Sequence, residues 1–128
     1  MPNQSLIRVP EGGGVTMLNL GTGHAVLLAV SVFTLRQFYD GPVTVFCDPE
    51  SEPYTDMVCK AGGCHKYILS NTQDIRHRSY TVKPRLPSLS PYKFTIQLDT
   101  DIIVTGNFSE LWPNYEEELV LTQFASWV

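Results

Sequence analysis

The chain has 128 residues, of which 43% are hydrophobic and 17% charged, the proportions of an ordinary globular domain, with a formal net charge of -4. That balance leaves no basic footprint for nucleic acid, and the most apolar run, 25–33, is too short to span the roughly 30 Å core of a bilayer. Three cysteines, Cys47, Cys59 and Cys64, with no charged-then-apolar segment ahead of them, point to a reduced, cytoplasmic setting.

Residues 1–14 carry Pro2, Pro10 and three consecutive glycines and read as a flexible leader. A first strand is predicted over 15–20. It runs into Gly21-Thr22-Gly23, where the backbone can turn tightly beside a ligand, although the glycine spacing matches neither a P-loop nor a dinucleotide fingerprint. Residues 24–39 are apolar around most of a helical circumference, with Thr22 a candidate cap and Asp40-Gly41-Pro42 the stop. His24 reads as a helix-end residue rather than a ligand. A second strand, 43–47, ends in Asp48, and Ser51-Glu52-Pro53 opens a helix that stops at Gly62-Gly63. A third strand follows over 66–69. Cys59, Cys64 and His65 raise the question of zinc, but the Cys-x4-Cys spacing is loose and no second pair follows, so buried free thiols are expected. Strand, helix, strand, helix, strand is the repeat of a parallel sheet covered by helices, whose ligands bind beyond the carboxyl ends of the strands. Gly21, Asp48 and Asp99 would all lie on that rim.

Residues 70–93 break the pattern with Pro84, Pro87 and Pro91 and bring the basic group Arg76, His77, Arg78, Lys83 and Arg85. A loop of this length, with one helical turn at most, is expected to be functional, its plain alternative being a solvated basic face. Then comes FTIQLDTDIIVTGNFSELW, residues 94–112. Phe94, Ile96 and Leu98 alternate with Thr95 and Gln97 as in a strand over 94–98, so Asp99 and Asp101 would point the same way. Two carboxylates that close need a cation between them, and a hard divalent ion with oxygen ligands is the usual answer. The plainer reading is a pair of surface aspartates at a turn, with Gly106-Asn107 reversing the chain. Ile102, Ile103 and Val104 speak against it, since they resume the apolar run and would make the pair an interruption of a core strand. A helical turn at 108–112, a polar link and a last strand at 119–124 complete the chain, and that strand, with no helix to cover it, is expected to require a second copy or another chain.

The stretch LDTDIIVTGNFSELW, together with HAVLLAVSVFTLRQFYDGPVTVFCD upstream, resembles the GT-A type glycosyltransferases, more narrowly the glycogenin-like and related Asp-x-Asp sugar transferases. The resemblance covers most of 15–124 and implies a Rossmann-like α/β fold, a mainly parallel sheet flanked by helices. It implies a nucleotide-sugar donor, a UDP-sugar in the first place, with Mn2+ or Mg2+ on its diphosphate, and an acceptor the sequence does not identify. By position, Asp99 would contact ribose or metal and Asp101 the metal. The backbone at Leu20 and Gly21, with Asp48, would hold base and ribose, and Lys83 would approach the phosphates. The family's acceptor-binding half and a later metal-binding histidine have no counterpart in this sequence, so the chain is expected to be the nucleotide-binding half alone. Two other readings compete: a non-catalytic nucleotide-sugar-binding module of the same fold, and a haloacid-dehalogenase-type phosphatase. The phosphatases carry their Asp-x-Asp on the first strand with a lysine downstream, whereas here the pair follows three strands and no lysine follows Lys93.

Overall fold

The structure is a computed structural model that describes residues 6–69 and 82–112. Four strands, β1 (Gly13–Asn19), β2 (Val43–Cys47), β3 (His65–Ile68) and β4 (Phe94–Leu98), form one all-parallel sheet in the order β3-β2-β1-β4. Helices α1 (Ala25–Leu35) and α2 (Glu52–Gly62) make the first two crossovers. A 3-10 turn (Lys83–Arg85) and the short α3 (Leu86–Leu89) precede β4, and a second 3-10 turn (Ser109–Leu111) follows it. The α/β class and the parallel sheet expected from the sequence are therefore present, while the strand expected over 119–124 lies outside the described residues.

A parallel sheet must be covered on both faces, and the alternation along β1 and β2 supplies the two apolar surfaces. Val15, Met17, Val43 and Val45 point to one side and pack with Leu28, Val32 and Leu35 of α1 and Cys59 of α2. Leu18 and Phe46 point to the other and meet Leu69, Val82 and Leu86. Along α1, the buried Leu28, Ser31, Val32 and Leu35 stand at i, i+3, i+4 and i+7, the spacing of one helical stripe. The apolar residues on the rest of its circumference face outward: Val26 and Phe33 are exposed.

Several boundaries differ from the sequence reading, each for a local reason. The segment expected to be a flexible leader is packed from residue 6 onward. Ile7 is buried in the main core, its N–H donates to the Phe38 carbonyl at 2.6 Å, and the Arg8 N–H donates to Ser109 Oγ at 2.8 Å. Gly13 and Gly14 belong to β1, and glycine is required at 14 because a Cβ there would stand 2.4 Å from the Tyr92 ring that lies across the strand. Helix α1 ends at Leu35 instead of 39. Its last turn tightens, with Phe38 and Tyr39 both donating to the Leu35 carbonyl, and the Arg36 guanidinium gathers the carbonyls of Tyr39, Gly41, Gly62 and Gly63. His24, not Thr22, occupies the N-cap, with no side-chain capping bond. Residues 102–104 do not continue the strand, because their backbone is tied to α1 instead of to a neighbouring strand. Ser31 Oγ donates to the carbonyls of Thr100 and Ile102 at 2.6 and 2.5 Å, and the Val104 N–H donates to Thr34 Oγ1 at 3.0 Å.

Candidate functional site

The strand order places a topological switch between β1 and β4: the chain moves outward from β1 to β2 and β3, then returns to lay β4 on the other side of β1. Beyond the carboxyl ends of those two strands the connections leave in opposite directions and open a crevice, the usual ligand position on such a sheet. A cavity of about 330 Å3 lies there. It is lined by Leu18 and Leu20 from the end of β1, His24 at the start of α1, Lys83, and Gln97 to Asp101 where β4 runs out.

Of the residues singled out in the sequence, Leu20, Lys83, Asp99 and Asp101 meet on this cavity. Asp99 and Asp101 are both exposed to it, on one turn whose carbonyls are held by the buried Ser31. The Lys83 ammonium stands 2.8 Å from Asp99 Oδ1. Both side chains are about half exposed, so this pair contributes about 0–1 kcal/mol to stability, and its consequence is mainly positional: it brings a cation to the acidic turn. Among the described residues Asp101 has no hydrogen-bond or ion-pair partner. Two carboxylates with oxygens turned to an open cavity fit a hard divalent ion as donors, yet supply only part of its shell; the described residues contain no group of three or more His, Cys, Asp or Glu placed to hold one. A ligand's own oxygens and water would have to complete it.

Gly21 and Asp48 sit on the same rim but do not line the cavity. Asp48 is 5% exposed, and its carboxylate accepts the Gly21 N–H, at 3.1 and 3.2 Å to its two oxygens, and the Ser51 N–H at 2.9 Å. It therefore holds the Gly21 turn in place, on the same rim as the residues expected to hold base and ribose. A strand-end aspartate followed three residues later by serine forms a local turn, which the sequence reading passed over. His24 is the helix-end residue the sequence suggested, at the N-cap of α1, and from there it also lines the cavity. One further residue was missed. Ser31, a polar residue in an apolar helical stripe, orients the acidic turn. Cys59, Cys64 and His65 do not gather into a metal centre: Cys59 Sγ faces the His65 carbonyl, not its ring. Arg76, His77 and Arg78 lie outside the described residues.

Among the described residues, fold and site thus define an α/β arrangement with a four-stranded parallel sheet and a cavity carrying an acidic pair at its switch point. No protein-family model matches the chain, and no curated protein matches it either.

Proposed function

We propose that this chain binds a nucleotide-sugar, a UDP-sugar in the first place, together with a divalent ion, as the donor site of a GT-A type glycosyltransferase. The observation that carries the reading is the position of Asp99 and Asp101, side by side on the cavity at the β1/β4 switch point. Asp99 and Asp101 would hold Mn2+ or Mg2+, which when bound supplies charge neutralisation for a diphosphate leaving group. The chain's own residues supply the rest. Lys83, already beside Asp99 on the cavity, would reach phosphate oxygens there. Helix α1 starts at the cavity with His24, so the positive end of its dipole favours the same anion. Leu18 and Leu20 offer an apolar wall for a base, and Asp48 keeps the Leu20-Gly21 backbone in register. Against the phosphatase alternative, the pair lies at the end of β4 and not on the first strand.

Titration calorimetry of UDP with and without Mn2+ tests this. Metal and nucleotide share oxygens, so each should tighten the other by about 1–3 kcal/mol, or about 5–150-fold, and Asp101→Ala should abolish the coupling. UDP affinity indifferent to metal, or an Asp101→Ala variant that behaves like the parent, refutes the reading. Release of free sugar from a UDP-sugar by the chain distinguishes a transferase from a binding module.

A further inference from the structure

At the opposite end of α2 from its N-terminus, two thiols meet in a geometry the sequence spacing alone does not disclose. Helix α2 closes at Gly63, whose φ is +67°, and the Cys64 N–H donates to the Cys59 carbonyl at 2.9 Å. This is the six-to-one bond of a Schellman cap, in which the side chain just past the left-handed residue folds back on the side chain of the last full turn. Those two side chains are Cys64 and Cys59. Cys59 is buried in the main core and the partly exposed Cys64 packs against it, so Cys64 is the more accessible of the two residues. The Arg36 guanidinium, bonded to the carbonyls of Gly62 and Gly63, stands beside the same turn.

We propose that Cys59 and Cys64 form a redox-active dithiol that closes to an intrachain disulfide on reaction with a low-molecular-weight disulfide such as oxidised glutathione, while Cys47 stays a thiol. Cys64 is the attacking sulfur. Its thiolate displaces one glutathione thiolate from the oxidant and becomes a mixed disulfide; the thiol of Cys59 then loses its proton to solvent, attacks the Cys64 sulfur and expels the second glutathione thiolate. Two electrons pass from the protein thiols to the oxidant, two thiolates leave, and one S–S bond replaces another. The electrostatics suit this order. The neighbouring Cys59 thiol, helped by the Arg36 charge and opposed by burial, holds the Cys64 thiol below the ordinary range, while the neighbouring Cys64 thiol and burial push Cys59 up; each thiol also faces a backbone carbonyl, Cys59 that of His65 and Cys64 that of Gly62. Cys47 is fully buried within β2. This inference is independent of the nucleotide site.

The test equilibrates the full chain in oxidised glutathione, unfolds it in denaturant with N-ethylmaleimide so that every remaining thiol, the buried Cys47 included, is blocked, and maps it with trypsin without reduction. Cleavage at Lys60 separates the two cysteines, so the disulfide should join peptides 37–60 and 61–66, with one maleimide on Cys47 and a mass lower by two hydrogens. Repeating the map on Cys47→Ser assigns the bridge to Cys59, because peptide 37–60 then holds a single cysteine. In Cys59→Ser the reaction should stop at glutathione bound to Cys64, and in Cys64→Ser glutathione uptake should fall at least tenfold. Three maleimides on the oxidised parent chain, a bridge that includes Cys47, or a bridge between two chains would overturn the proposal; fragmentation of the bridged parent peptides locates the maleimide on Cys47 or Cys59, so the parent chain alone decides it.

Discussion

Asp48 offers the sharpest test of how the rim is held. Its buried carboxylate accepts two backbone N–H groups, Gly21 at 3.1 and 3.2 Å and Ser51 at 2.9 Å, and Asp48→Ala leaves both without an acceptor. Bonds to a charged partner contribute about 1.5–3 kcal/mol each, so the gross loss is about 3–6 kcal/mol. Removing a carboxylate from a site that is 5% exposed also relieves its desolvation, which leaves a net cost of about 2–4 kcal/mol. Against the 5–15 kcal/mol typical of a domain this is severe, and at a urea slope of about 2 kcal/mol/M it moves the midpoint by about 1–2 M. Asp48→Asn should cost about half as much, since an oxygen in the place of Oδ1 can still accept from both Ser51 and Gly21 while the charge is lost and the amide nitrogen replaces Oδ2 beside the Gly21 N–H. Urea unfolding followed by far-UV circular dichroism measures both. Asp48→Ala within about 0.5 kcal/mol of the parent would mean that the carboxylate does not hold the turn, and the argument for its positioning role would fail.

The other predictions follow from single contacts. Ser31→Ala removes the donor that holds the Thr100 and Ile102 carbonyls; it should cost about 1–2 kcal/mol of stability by thermal melting and weaken metal-dependent UDP binding, whereas a substitution on the outer face of α1 such as Phe33→Ser should leave that binding unchanged. Gly14→Ala drives a methyl into the Tyr92 ring and should destabilise by about 1–3 kcal/mol, a cost that Tyr92→Ala in the same chain should partly relieve. Gly63→Ala meets no neighbouring atom, so its cost of about 1 kcal/mol should be conformational only and insensitive to substitutions nearby. Tyr39 is buried with its hydroxyl donating to the Pro42 carbonyl at 2.7 Å, and burial raises its pKa above the ordinary value of about 10. The folded chain keeps that proton where the unfolded chain releases it, so the contribution is complete below pH about 10 and is lost as pH rises further. Tyr39→Phe should therefore flatten the alkaline limb of a stability-against-pH curve.

What the sequence determined by itself was the alternation of elements and the chemistry at strand ends. Strands 43–47 and 94–98 were legible to the residue because each is a short run of β-branched and large apolar side chains bounded by turn residues, and α2 was framed by Pro53 and Gly63. The acidic pair was legible as two carboxylates at the end of a strand, but the argument that it interrupts a core strand was not, because 102–104 leave the sheet and the pair stands exposed on a turn. What only the tertiary structure decided were contacts between residues far apart in the chain. Gly12 to Gly14 looked like a flexible leader until Tyr92 and β4 closed over β1, and Ile102 to Val104 looked like a strand until Ser31 and Thr34 of α1 took their backbone groups. The bond that ties Asp48 to the N–H of Gly21, 27 positions away, is likewise a contact the chain order does not show. Local propensity and spacing act over a few residues and can be read in one dimension; burial, and the choice of partner for each backbone donor and acceptor, are set by which surfaces meet when the sheet assembles.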